Sequence, residues 1–512
     1  MIERNDPESA SRERPAFELL RTGIPGFDEV LGGGLPALSF NLIAGGPGSG
    51  KTTMSMQFLF ANSTVKRPGL FITLLGESSL KMLRYQQRFD FFKREQVGSA
   101  VHFLNLSEEV LDGDLDSVLS RIVKAVETLH PGVVVVDSFR SIVHSDGVGS
   151  SDSNIERFVQ RLALHLATWE ITSLLIGEYQ EQELRNPVFT VADGIVWLTQ
   201  SIDRNSVVRK LQVMKSRGVS HMPGLHTLKI TTAGVQVYPR MTSKPTNNQE
   251  RDGRRLSTGI PGLDVLMGGG IPAGDSVVLA GPTGSGKTTF AVQFVTAGLS
   301  VGEAAVVAVF EERPEIYLAR ASAMGRDLSD AVRDDKLRII YLRPLDLSVD
   351  ETLQEIRDAV EQIGAKRVVI DSISGFEMAL APTFREDFRE SLYRLIGTLT
   401  GLGVTMYSTV EVIDREGLQL TGHSVSFLTD VILSQRYVEI EGELRKAVVV
   451  VKMRGSDHSR DFWTYESTAT GIVLRDTLTE YDRVVTGLPT RQLRAARITR
   501  ADVFDSVEPS DK

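Results

Sequence analysis

Residues 22–36 read TGIPGFDEVLGGGLP and are written again at 258–272 as TGIPGLDVLMGGGIP, while GGPGSGKTT at 45–53 returns as GPTGSGKTT at 281–289. Lys287 follows Lys51 by 236 residues (287 − 51), Asp371 follows Asp137 by 234 (371 − 137), and Lys452 follows Lys215 by 237 (452 − 215). Landmarks that stay in step over so long a period mean that one whole domain has been duplicated in tandem. The 512 residues are therefore expected to form two similar cores, which domain-size limits also favour.

The break between them falls in PRMTSKPTNNQERDGRR, 239–255, where proline, asparagine and charge replace apolar periodicity. The expected organisation is a disordered N-terminus at 1–14, a first domain at 15–240, a linker at 241–254, a second domain at 255–490 and a basic tail at 491–512. Inside each unit, short β-branched runs such as FNLIAG, LFITLL, VVVVDS and TSLLIG alternate with helical stretches. That alternation predicts an α/β fold, a mostly parallel sheet with helices on both faces.

A formal net charge of −9 and a pI near 5.6 argue against a general nucleic-acid binder, which carries a basic body. There is no cysteine, so disulfides, thiol nucleophiles and zinc fingers are excluded. The eight histidines form no cluster with metal-ligand spacing. The N-terminal MIERNDPESASRERP has no apolar stretch for a signal peptide, and runs such as VVVVD and AAVVAVF are far too short to span a bilayer. A cytoplasmic protein without membrane association is expected.

Each repeat carries a full P-loop after an apolar strand and before a helix. The first is Gly45-Gly46-Pro47-Gly48-Ser49-Gly50-Lys51-Thr52-Thr53, the second Gly281-Pro282-Thr283-Gly284-Ser285-Gly286-Lys287-Thr288-Thr289. Glycines let backbone N–H groups turn inward around a β-phosphate, the lysine reaches the β and γ oxygens, and the threonine hydroxyl ligates magnesium. ATP with Mg²⁺ is the expected ligand. Asp137 ends VVVVD and Asp371 ends RVVID, each an apolar strand finishing in a carboxylate suited to the same ion, so Thr52, Asp137, Thr288 and Asp371 are the candidate metal residues.

Phosphoryl chemistry also needs a base. In VFEERPE, Glu311 and Glu312 follow the next strand; the matching place in TLLGESS holds Gly76 and Glu77, so one carboxylate is missing from the first unit. Far downstream of each P-loop lies a basic triplet of spacing K-x-R-G-x-x-H: Lys215, Arg217 and His221 in the first unit, Lys452, Arg454 and His458 in the second.

Taken together, T-G-x-x-x-x-D-x-x-x-G-G-G, the P-loop, the glutamates, the strand-end aspartate and K-x-R-G-x-x-H, in duplicate over residues 15–491, resemble the KaiC family of RecA-like ATPases, which includes the cyanobacterial circadian clock kinase. The resemblance implies a double-ring homohexamer with ATP between neighbouring subunits, a first ring acting as ATPase and a second as autokinase and autophosphatase. It implies that Lys215, Arg217 and His221, and Lys452, Arg454 and His458, reach the γ-phosphate held by the next subunit. It also implies a partner protein of the KaiB kind.

One departure concerns the phosphorylation site. The family's Ser-Thr pair falls on Ser426 and Phe427, and the first unit has Phe189 at the place of the serine. Ser426 remains the candidate phosphoacceptor, activated by Glu311 with Glu312 orienting. Arg491, Arg494, Arg497 and Arg500 recur at every third residue of the tail, a basic stripe if helical. The expected function is thus an ATPase and serine autokinase acting as a timing or signalling switch. An alternative is an ATP-gated assembly platform with little kinase activity. A third, a RecA-like recombinase or helicase, is disfavoured by the acidic balance and by the negative loop SDGVGSSDS at 145–153.

Overall fold

The computed structural model describes residues 18–74, 79–111, 115–137, 152–179, 187–203, 206–240, 253–342, 348–380, 388–412 and 428–491. Gly76, Glu77, Ser426, Phe427, most of the 145–153 loop and the arginines beyond Arg491 lie outside them. The chain divides into two compact units, residues 1–240 and 241–512.

Nine strands build the sheet of the first unit: Phe40–Gly45 (β1), Gly69–Thr73 (β2), Val101–Asn105 (β3), Val133–Asp137 (β4), Thr172–Gly177 (β5), Gly194–Asp203 (β6), Ser206–Ser216 (β7), His226–Thr231 (β8) and Gly234–Tyr238 (β9). Their order is β9-β8-β7-β6-β1-β5-β4-β2-β3. From β6 through β3 neighbouring strands run parallel, and β6 to β9 form an antiparallel meander.

The second unit repeats this path with Ser276–Gly281 (β10), Ala305–Val309 (β11), Leu337–Tyr341 (β12), Arg367–Asp371 (β13), Thr405–Glu411 (β14), Val431–Ile440 (β15), Glu443–Met453 (β16), Trp463–Thr468 (β17) and Gly471–Thr477 (β18). Its order, β18-β17-β16-β15-β10-β14-β13-β11-β12, matches the first strand for strand. Both units are α/β, with a mostly parallel nine-stranded sheet flanked by helices, as the alternation of runs predicts.

Why these runs make central strands follows from where their side chains go. Val134 and Val136 belong to one hydrophobic cluster, Val133 and Val135 to the other, so β4 is apolar on both faces. In β10, Val278 and Ala280 face one cluster while Val277 and Leu279 face the second. Flanking helices show a single apolar stripe: Leu115–Leu129 buries Val118, Leu119, Ile122 and Val126. The equivalent helix Val349–Ile363 starts at Ser348, whose hydroxyl accepts from the Glu351 N–H at 3.1 Å, and ends at Gly364 with φ 62°.

The P-loop helices Lys51–Asn62 (α1) and Lys287–Ser300 (α2) bury residues on nearly every side, including Met54, Gln57, Phe58 and Phe60 in α1 and Phe290, Gln293 and Phe294 in α2. Packing all round fixes the helix N-terminus relative to the sheet. Gly50 and Gly286 cap these helices at φ 104° and 100°, a conformation that an L side chain rarely adopts. Among the described residues no helix is long and apolar enough to cross a membrane.

Candidate functional site

Each phosphate loop opens at the C-terminal end of the central parallel strand, the end at which α/β sheets gather their ligands. After β1, Lys51 is 6% exposed and its Nζ donates to the Gly46 carbonyl at 2.7 Å. The ammonium also lies 3.8 Å from Glu178 Oε1, just past the end of β5. Burial lowers the Lys51 pKa, and the negative charges of Glu178 and Asp137 oppose that shift. Thr52 Oγ1 donates to Asp137 Oδ2 at 2.8 Å, and burial is the main reason that the Asp137 carboxyl is raised above its ordinary value.

In the second unit Lys287 Nζ donates to the carbonyls of Gly281 and Pro282 at 3.0 and 2.9 Å, and burial lowers its pKa against the opposing charges of Glu411, Asp371 and Glu311. Ser285 Oγ donates to Gln435 Oε1 at 2.7 Å, Tyr465 OH donates to the Ser285 carbonyl at 2.6 Å, and Thr283 Oγ1 donates to Glu411. Thr53, Thr288 and Thr289 lie in the first turns of α1 and α2. Asp371 accepts from the Thr409 hydroxyl, so the two copies orient the strand-end carboxylate differently.

In the first unit a hydroxyl and a carboxylate converge at the loop, which fits magnesium, a hard ion that takes one or two protein oxygens and completes its shell with phosphate and water.

Glu311 and Glu312, just beyond β11, are held by different partners. Ser372 Oγ donates to Glu311 Oε1 at 2.9 Å while also capping the helix Ile373–Ala379 through the Gly375 N–H at 2.9 Å. Glu312 forms an ion pair with Arg320 of the helix Pro314–Ala323 at 2.7 Å. Burial raises the Glu312 carboxyl, Arg320 works in the opposite direction, and Asp371 and Glu311 add to the rise.

The basic triplets sit at the other end of the sheet from their own cradles. Lys215 of β7 pairs with Ile195 of β6, which pairs with Leu42 near the start of β1, whereas the cradle opens beyond Gly45 at its end. Lys452 of β16 pairs in the same way with Ile432, and Ile432 with Val278. Lys215 Nζ donates to the Thr190 carbonyl at 3.0 Å, and Lys452 Nζ to that of Thr429 at 2.7 Å. Arg217 and Arg454 lie 3.1 and 3.6 Å from Asp193 and Asp430. His458 Nδ1 lies 2.9 Å from the Ser459 carbonyl, and His221 occupies the same place in the first copy, next to Met222.

The glycine-rich motif upstream holds these loops. Thr22 donates twice to Asp28 Oδ1, from N–H at 2.8 Å and from Oγ1 at 2.7 Å, and Thr258 and Asp264 repeat the turn. The short helix that this turn starts offers the carbonyl of Val30 to the Met222 N–H at 2.8 Å, and that of Leu266 to the Ser459 N–H at 2.9 Å. The threonine and aspartate therefore shape the turn whose helix holds the loop of the basic triplet.

Sequence reasoning missed three sets of residues. Glu178 directly follows, and Glu411 ends, the strand beside the P-loop strand; an apolar run finishing in glutamate in both copies is the signal. Gln57 and Gln293 are buried polar positions of the P-loop helices; each Nε2 donates at 3.0 Å to the carbonyl of Gly23 or Gly259, and each Oε1 accepts the backbone N–H of Val235 or Ile472 at 2.7 Å. Arg320 and Ser372 are the partners of the paired glutamates; Arg320 comes from the helix that directly follows Glu312, whereas Ser372 comes from an element that only the fold brings beside Glu311.

A family model described as "ATPase: KaiC" matches residues 20–242 and again 256–478. Curated proteins called circadian clock oscillator protein KaiC are similar over almost the whole chain. That of Nostoc sp. is 30% identical over 531 aligned positions covering 100% of both chains. The protein of Prochlorococcus marinus is 30% identical, covering 92% of this chain and 95% of its own, and that of Synechococcus elongatus is 30% identical, covering 94% and 93%.

Proposed function

The chain belongs to the KaiC family of ATPases, and from that premise we propose that it works as a ring of identical subunits, a homohexamer, in which each ATP is held by the P-loop of one subunit and completed by the basic triplet of the next. The single observation that supports this reading is the position of the triplets, at the opposite end of the sheet from the cradle in both units. A cation fixed beside the γ-phosphate stabilises charge that develops on its oxygens during transfer. Lys452, Arg454 and His458 serve the second-unit site of a neighbour; Lys215, Arg217 and His221 serve its first-unit site.

Thr52 with Asp137, and Thr288 with Asp371, would hold magnesium, which neutralises charge on the β and γ phosphates when bound. In the second unit Glu311 is the general base and Ser426 the hydroxyl it activates, with Glu312 orienting. The hydrogen bond from Ser372 fixes the direction of the Glu311 carboxylate. In the first unit Glu77 acts alone, which makes its hydrolysis slower or differently controlled. Phosphorylation of Ser426 changes the charge at a subunit edge and so carries a timing or signalling state to a KaiB-like partner.

Incubation with γ-labelled ATP tests this reading. Label on Ser426 that disappears in Glu311→Gln supports the autokinase. Turnover without label would favour an ATP-gated platform, a reading consistent with Phe427 standing where the family has threonine.

A further inference from the structure

Beside each P-loop lysine lies one carboxylate that the mechanism above does not use. Glu178 directly follows β5 and Glu411 ends β14, and these are the strands that pair directly with β1 and β10. Both side chains therefore arrive at the cradle from the adjacent strand. Glu178 Oε1 is 3.8 Å from Lys51 Nζ. Glu411 accepts from the Thr283 hydroxyl inside the second loop, and its backbone N–H is held by Ser374 Oγ at 3.3 Å.

We propose that Glu178 and Glu411 are specificity-determining residues that set how strongly each site prefers a nucleoside triphosphate over a diphosphate, a role that rests on the reading of these loops as ATP sites. The P-loop lysine is the cation that meets the terminal phosphate. A fixed negative charge on the neighbouring strand shares that cation and repels the extra charge that distinguishes ATP from ADP. The glutamate thus weakens the triphosphate complex more than the diphosphate complex, narrowing the gap between substrate and product. Direct contact with the lysine makes the effect larger at Glu178, whereas Glu411 acts from the loop hydroxyl.

The test is equilibrium binding of ADP and of the β,γ-imido analogue of ATP to the full chain, with Lys287→Ala silencing the second cradle. Glu178→Gln keeps the shape and removes the charge; it should tighten the triphosphate analogue about tenfold relative to ADP, the order expected for one partly screened charge a few ångströms away. Glu178→Asp should leave the ratio within about twofold of the parent, since the charge is kept. Glu411→Gln, with Lys51→Ala silencing the first cradle, should move the ratio in the same direction by a smaller factor. Equal changes for both nucleotides in Glu178→Gln, weaker binding of the triphosphate, or the same shift in Glu178→Asp would overturn the proposal. Parent chains that bind neither nucleotide would instead remove the ATP-site reading and this proposal with it, so the two failures are told apart.

Discussion

Arg454 is held against Asp430: its backbone N–H donates to the Asp430 carbonyl at 3.0 Å, and its guanidinium lies 3.6 Å from the carboxylate. Asp430 also anchors the start of the P-loop strand, accepting from Ser276 N–H at 3.0 Å and Oγ at 2.8 Å. One aspartate thus ties the basic triplet to the strand that leads into the cradle. Asp193 does the same in the first unit, with Phe40 and Arg217.

The two partners should separate in a stability measurement. Asp430→Ala strands buried donors at Ser276 and should lower the unfolding free energy by about 2 kcal/mol in a urea titration. Arg454→Ala removes an ion pair with one exposed partner and should cost less than about 1 kcal/mol. Both should lower turnover at the second site, the aspartate by misplacing the arginine.

Gln293 joins the Thr-Gly turn to β18 through two hydrogen bonds in the interior. Gln293→Ala leaves the Gly259 carbonyl and the Ile472 N–H without these partners, and should destabilise the second unit by about 2–4 kcal/mol. Gln57→Ala should do the same to the first. A loss below about 0.5 kcal/mol would show that the turn does not depend on the glutamine.

The Glu312–Arg320 pair sets a pH dependence. Because burial raises the Glu312 carboxyl in the folded chain, the unfolded chain releases that proton at lower pH, and stability falls as pH rises from the ordinary carboxylate value through the raised one. Glu312→Gln should lack that decline, so its melting temperature relative to the parent should climb across the same window. Arg320→Ala removes the opposing positive charge and should carry the decline in stability to higher pH than in the parent. An unmoved decline would mean that Arg320 does not act on Glu312.

How much of this was legible in the sequence depends on the range of each signal. The P-loops, the strand-end aspartates and the alternation of strands and helices are local patterns whose physics is contained in a dozen residues, and the structure shows both strand orders to follow from one duplicated plan. The glutamates at 178 and 411 look like ordinary strand ends until strand order puts them beside the P-loop strand. Gln57 and Gln293 are polar side chains with no motif to mark them, and they lie inside because the helix is covered on nearly every side. The Thr-Gly and Asp motif was visible as a repeat, but its work, holding the loop of the basic triplet, joins elements about 190 residues apart and cannot be read from spacing.

The claim that sites are shared between subunits is tested most directly by mixing two defective chains, both carrying Lys51→Ala to silence the first site. One has Arg454→Ala and keeps its second cradle; the other has Lys287→Ala and keeps its triplet. Random assembly into rings gives about a quarter of the second sites an intact cradle facing an intact triplet. The account predicts that each chain alone is nearly inactive and that the mixture recovers about a quarter of the second-site turnover of the Lys51→Ala parent. A mixture no more active than the sum of its parts would contradict it.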